Sequence, residues 1–415
     1  MATPKSTRLV PRRARRVYRT LREERRTLQQ GMAALAVSTI AGFVAGVTLG
    51  SISGTLEMMP GLLVLIPASV GMRGTIFGAM GARLGTEIAA GVFEPSLRSG
   101  RSLRRNAEVA AASSILSSFY LAGLAKLVAS AFGEETISFW DLVTISVAGG
   151  VLSSIIVLVV TVVLAVQSFR RGWDLDAVST PMVTAIGDMV TLPALFLATF
   201  IARSDTLNAI SATLCTIAAL GALAWVLFRS SSQVKRTLLE MTGVIVLTPV
   251  LDVFAGAVLE AHRTELDAIP GILILIPPFV SQAGALGGIL SSRLSSKLQI
   301  GVITPRGRPE RPALVDATTV VTLGVVVFTA IGAISALLAS VTDVARPSAA
   351  LMVGGATLAG LLVLPVLLVV AYYVAVLTTR FGLDPDNQGV PTITSSLDLT
   401  GAAAILFVMS VLGVT

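Results

Sequence analysis

Asp188 and Asp398 each sit inside an apolar run, TAIGDMVTLPAL and TSSLDLTGAAAI, and they lie 210 residues apart. A carboxylate in such a segment has little to pair with except water, a proton or a cation. Thr184 and Thr394 precede the two acids by four residues, one helical turn earlier on the same face, and add hydroxyl oxygens. Paired carboxylates with hydroxyl neighbours form a hard, oxygen-rich site suited to a divalent cation. Mg²⁺ dehydrates reluctantly, so one or two carboxylates that hold its waters are enough. Asp252 is a third acid in an apolar segment, with Gly42 as its counterpart 210 residues earlier. It either joins the ion path from one side or serves helix packing. Cys215 and His262 are the only residues of their kinds, which excludes an internal disulfide and leaves little for a soft-metal centre.

The offset of 210 extends well beyond the two acids. PGLLVLIPASVGMRGTIFGAMGARLGTEIAAG, residues 60–91, recurs as PGILILIPPFVSQAGALGGILSSRLSSKLQIG, residues 270–301, with 12 of 32 positions identical. RRGWDLDAVSTPMVTAIGD recurs as RFGLDPDNQGVPTITSSLD, which keeps Asp174/Asp384, Asp176/Asp386, Pro181/Pro391, Thr184/Thr394 and Asp188/Asp398. A repeat of this kind outranks other sequence signals for fold. The two prolines in each PGxLxLIP run are expected to kink their helices, and the glycines that follow allow close helix approach.

Composition identifies the solvent. Hydrophobic residues make up 54% of the chain and charged residues 13%, too few to cover a soluble protein of 415 residues. Eleven apolar segments are long enough to cross a bilayer, near 32–55, 59–81, 107–131, 141–168, 177–201, 207–229, 237–259, 269–291, 313–340, 348–378 and 389–414. The formal charge of +7 does not indicate nucleic acid, because the basic residues gather in the N-terminal 30 residues and in alternate loops. By the positive-inside rule the N-terminus is cytoplasmic and the C-terminus extracellular in the cell membrane. The first segment has no evident cleavage site, so no signal peptide is expected.

These readings combine into an all-α polytopic membrane protein. Two parallel five-helix repeats are joined by one extra transmembrane helix, about 11 spans in all, with a pseudo-twofold axis along the membrane normal. The expected divisions are a basic cytoplasmic arm at 1–31, a first repeat at 32–203, a linker helix at 204–236 and a second repeat at 237–415. The arm either lies on anionic lipids or only sets topology. A single chain that carries both halves can work as a monomer. Each acid lies about 11 residues into its helix, roughly 17 Å into a hydrocarbon core of about 30 Å. Arg73 has no charged counterpart and is expected near the cytoplasmic end of its helix, against an acid.

The LIPxxxxxxG runs with ARLGTEIAAG and SRLSSKLQIG, together with DPDNQGVPTITSSLDLTG at 384–401, resemble the MgtE-type integral membrane domain in the duplicated form of the solute-carrier 41 family. The resemblance covers nearly all of 32–415. It implies a magnesium transporter whose central ligand is Asp398 and, through the repeat, Asp188. The ion is then cargo, with no separate cofactor. GMRG at 71–74 and SQAG at 281–284 depart from the family's Gly-Gly-Asn stretch, and no large cytoplasmic sensor domain is expected.

Other readings remain open from the residues alone. One is Na⁺-coupled export, or transport of another divalent cation such as Co²⁺ or Ni²⁺. A remote one is an intramembrane aspartyl protease, since AIGDMVTLPAL holds a Gly-Asp pair and a Pro-Ala-Leu triplet. That chemistry needs Gly-x-Gly-Asp and a distant triplet. Residue 185 is alanine, Pro193 follows Asp188 by five residues, and the second copy has no triplet.

Overall fold

The computed structural model describes residues 35–96, 98, 101–171, 175–299, 301–383 and 388–414, without the side chains of residue 89 and residues 175–181. The expected basic arm and the repeated acids Asp174, Asp384 and Asp386 fall outside the described residues, as does the Asp176 side chain. No strand occurs among the described residues. In lipid the backbone must satisfy its own hydrogen bonds, and a helix does so within one segment. Many hydroxyls are satisfied the same way. Thr39, Thr48 and Thr248 donate to the carbonyls of Leu35, Val44 and Val244 one turn earlier.

The first half runs α1 (Leu35–Ser51), α2 (Ser53–Met58), α3 (Leu62–Ala89) and α4 (Ser102–Ala131). A 33-residue span follows, made of α5 (Phe139–Val143), a π-helical turn (Thr144–Ala148) and α6 (Gly149–Arg171), and then α7 (Leu175–Ala202). Next come α8 (Asp205–Phe228), α9 (Ser232–Ala261), α10 (Arg263–Ala268) and α11 (Pro270–Gln299). The chain closes with α12 (Arg311–Val341), α13 (Ala349–Phe381) and α14 (Val390–Val411). Ten helices among the described residues are long and apolar enough to cross a membrane, and Leu35–Ser51 is a shorter apolar helix.

Helix ends recur at the 210-residue offset. α1 and α9 both stop at matching residues, 51 and 261, and α2 and α10 occupy matching positions throughout. Ser138 and Ser348 cap α5 and α13 in the same way, each accepting from a backbone N–H three residues on. The 33-residue span from Phe139 matches α13, with one difference: α13 is α-helical throughout, without the π turn.

α3 and α11 are the most enclosed spans and α8 the most exposed. α3 packs on α4, α6, α7 and α9, while α11 packs on α12, α13 and α14. The helices run on through Pro67 and through Pro277 and Pro278. Each proline leaves a carbonyl four residues earlier without its helical donor. Glycines from other helices rest on those carbonyls. A Cβ on Gly256 of α9 would overlap the carbonyl oxygens of Leu63 and Val64, and one on Gly46 of α1 would overlap that of Ile274. Glu260, buried near the end of α9, accepts from the N–H groups of Gly61 and Leu63 at 2.8 and 3.2 Å. That carboxylate ties α9 to the start of α3 and pairs with Arg263 at 3.1 Å.

Candidate cation site

Two carboxylates, from α9 and α14, stand side by side inside the bundle, and a third, on α7, is near enough for its charge to act on one of them. Asp252 on α9 is fully enclosed and stands in polar contact with Ser395 and with the carboxyl of Asp398, both on α14. Asp398 also feels the charge of Asp188 on α7. Gly71 on α3 makes room for the pair: a Cβ there would lie 2.8 Å from Asp252 Oδ2 and 3.8 Å from Asp398 Oδ2. Oδ1 of Asp252 is buried and has no hydrogen-bond partner.

Asp188 has different company. Ser281 Oγ on α11 donates to its Oδ2 at 3.0 Å, and Ser281 lies 2.9 Å from Ser38 Oγ on α1. A file of oxygens therefore runs from α1 through α11 to α7. Ser281 occupies the position 210 residues after Gly71. The two acids at matching positions thus meet unlike partners, a hydroxyl for Asp188 and a second carboxylate for Asp398.

None of the three acids has a lysine or arginine partner among the described residues. Carboxylates in contact repel when ionised, and low dielectric strengthens that repulsion. Their arrangement calls for a proton or a cation between them. Among the described residues no three His, Cys, Asp or Glu side chains come close enough to grip one metal ion together. An ion that keeps part of its water shell bridges such a gap.

Thr184 and Thr394 behave as a matched pair in their packing. Their methyl groups face Gly74 and Gly284, where a Cβ would lie 3.4 and 3.1 Å from each Cγ2. The Thr394 hydroxyl donates to the Pro391 carbonyl at 3.0 Å. Both threonines line the contact of α7 with α3 and of α14 with α11.

Sequence reasoning passed over Ser281, Ser38 and Ser395. It also passed over Gln282, whose amide donates to the Leu35 carbonyl at 3.1 Å while its buried oxygen has no partner. α11 does supply an amide oxygen, one residue past Ser281. Arg73 departs from expectation too. It lies 11 residues into α3, fully buried, with serines of α4 and α6 beside it and no acid among the described residues.

The family model described as MgtE, divalent cation transporter, matches residues 66–198 and 276–408. The rat protein "Solute carrier family 41 member 3" is 23% identical over 384 residues, covering 86% of this chain and 82% of its own length. The mouse protein "Solute carrier family 41 member 2" is 24% identical over 260 residues, covering 60% of this chain and 44% of its own length. The human protein of that name is 23% identical over 265 residues, with the same two coverages. No solved structure matches the chain.

Proposed function

Because this chain belongs to the MgtE family of divalent cation transporters, we propose that it carries Mg²⁺, or a similarly hard divalent cation, across the cell membrane between its two halves. Asp398 and Asp252 hold the ion on one side, directly or through its waters, and Asp188 with Ser281 faces it from the other. The observation that carries this reading is the contact between Asp252 and Asp398, with a buried, unpartnered oxygen on Asp252 and, among the described residues, no basic side chain to neutralise them.

The halves, 32–203 and 237–415, are read as parallel repeats about an axis along the membrane normal, with α8 restoring the direction of the second. Matching helix ends at the 210-residue offset support this, as do the contacts of α1 on α11 and α9 on α3. Parallel halves with an odd span count put the N-terminus inside and the C-terminus outside. A single chain then provides both sides of the path.

The test is flux into liposomes that hold the purified protein and a Mg²⁺ indicator, with Co²⁺, Ni²⁺ and Zn²⁺ as competitors. Mg²⁺ uptake that Asp398→Asn abolishes supports the site. Zn²⁺ flux that ignores Mg²⁺ overturns the choice of ion. Repeating the assay with and without a Na⁺ gradient separates passive flow from Na⁺-coupled exchange.

A further inference from the structure

The interior of the first half holds a buried cation with no anion, and this feature stands apart from the cation path. Arg73 on α3 is fully enclosed. Its Nε donates to Ser153 Oγ at 3.2 Å and its Nη2 to Ser118 Oγ at 2.9 Å, while Nη1 has no partner. No carboxylate pairs with it among the described residues. A guanidinium left uncompensated in a membrane interior is costly.

Further serines lie close to Arg73 and its two partners along the same three helices. Ser69 lies four residues earlier on the same face of α3, Ser114 one turn before Ser118 on α4, and Ser154 beside Ser153 on α6. The hydroxyls of Ser69, Ser114 and Ser154 are buried without a hydrogen-bond partner. A free guanidinium N–H together with unpartnered hydroxyls, and no acid, is the chemistry that receives an anion.

The matching region of the second half shows what an apolar version looks like. There Ser69, Arg73, Ser118, Ser153 and Ser154 correspond to Phe279, Ala283, Phe328, Val363 and Leu364. Phe279 and Phe328 stack with ring centroids 4.6 Å apart. A Cβ on Gly360 would run into the Phe328 ring, whereas one on the matching Gly150 would run into Arg73 Nη2 and Ser118 Oγ. The guanidinium thus takes the place of one ring, and only Ser69 stands where the other would be. These five positions carry fewer side-chain atoms in the first half than in the second. The π-helical turn at Thr144–Ala148 ends directly before Gly149 and Gly150, and α13 has no such turn. Turns of that kind are frequent at functional sites.

We propose that the first half binds one small monovalent anion of the halide class at Arg73 Nη1, with the hydroxyls of Ser69, Ser114 and Ser154 around it. A single charge matches the single guanidinium, so the occupied site is neutral. The proposal does not depend on which cation the chain transports.

The experiment measures bound bromide and thermal stability of the purified chain in NaBr, NaCl and sodium gluconate at one ionic strength. The expected result is one bromide per chain and a saturable rise in melting temperature with halide. Arg73→Met removes the charge. A second variant, Ser69→Phe with Arg73→Ala and Ser118→Phe, installs the second half's own apolar filling. Either variant that folds should bind no bromide and melt at the same temperature in all three salts. Wild-type protein that binds no bromide and melts identically in chloride and gluconate overturns the proposal, as does bromide retained by the filled variant.

Discussion

Asp252 and Asp398 meet carboxyl to carboxyl between α9 and α14, against the bare backbone of Gly71. The contact is not repeated in the other half, because Gly42 stands where Asp252 would recur. On the proposed reading, one ion shared by these two acids makes them a single functional unit. Asp398→Asn and Asp252→Asn should each lower Mg²⁺ flux about tenfold or more, the effect of about 1.4 kcal/mol in ion affinity. The double variant should be little worse than the stronger single, since residues in one site are not additive. Asp188→Asn should lower flux as well, and Ser281→Ala should do so more mildly. Well-folded single variants that transport at the wild-type rate would show that the acids are structural.

The glycine contacts lead to a stability prediction. Gly256→Ala and Gly46→Ala force a methyl group onto carbonyls of α3 and α11, so each should cost about 1–3 kcal/mol, the usual range for overpacking. Gly221 and Gly243 have nothing within 4 Å of a built Cβ. Alanine at those positions should be neutral or stabilise by up to about 1 kcal/mol. Melting curves of the four variants check this. Equal melting temperatures for Gly256→Ala and Gly221→Ala would remove the argument for close approach.

The parts of the fold that depend on local pattern were readable from the chain. Apolar runs located the long helices, and the repeat of PGxLxLIP and of the Asp398 segment pointed to the family that the comparisons found. Contacts between helices distant in sequence were harder to read. Asp252 stood out as an unmatched acid, yet its polar contact with Ser395 and Asp398 depends on how α9 packs on α14, which periodicity does not specify. The serine at 281 looked like a loss of the family's asparagine, and only packing places its hydroxyl on Asp188. Arg73 was expected against an acid because pairing is the usual way to bury a charge. Serines from two other helices meet it instead, and they are not adjacent to it in sequence.

The acids of the two matching short helices, α2 and α10, give a pH prediction. Asp267 on α10 is close enough to Glu57, its counterpart on α2, for their charges to interact, and the two short helices touch. Burial, then the Glu57 charge, pushes the Asp267 carboxyl above the ordinary aspartate range, and Arg263 opposes the shift. Asp267 therefore gains its proton at a higher pH than a free aspartate would. If these acids gather cations at the mouth, flux should fall as the solution on their side of the membrane is acidified, beginning above the ordinary aspartate range. Asp267→Asn should have lower flux at neutral pH and a flatter acid limb. Identical pH profiles for the variant and the wild type would exclude Asp267 from cation capture.

The last prediction uses a charge exchange between the halves. Asp316 on α12 is fully buried and accepts from Arg293 at 2.8 Å and Lys297 at 2.5 Å, both on α11. At the matching positions Arg83 donates to Asn106, and Glu87 stands where Lys297 would be. Where the acid is on the fourth helix the bases are on the third; where the third helix carries the acid, the fourth carries a neutral amide at the matching position and Arg105, which pairs with Glu87 at 2.9 Å. Removing one partner of a buried pair strands the other, at about 3–5 kcal/mol. Asp316→Asn leaves Arg293 and Lys297 facing each other without an acid, and Lys297→Glu sets a second carboxylate beside Asp316. Both singles should melt well below the wild type. The double variant Lys297→Glu with Asp316→Asn recreates the first half's Arg, Glu and Asn, so it should recover much of the loss, a coupling that thermal melts of all four proteins would expose. A double variant that melts at the sum of the two single losses would mean that the exchanged charges do not act as a pair.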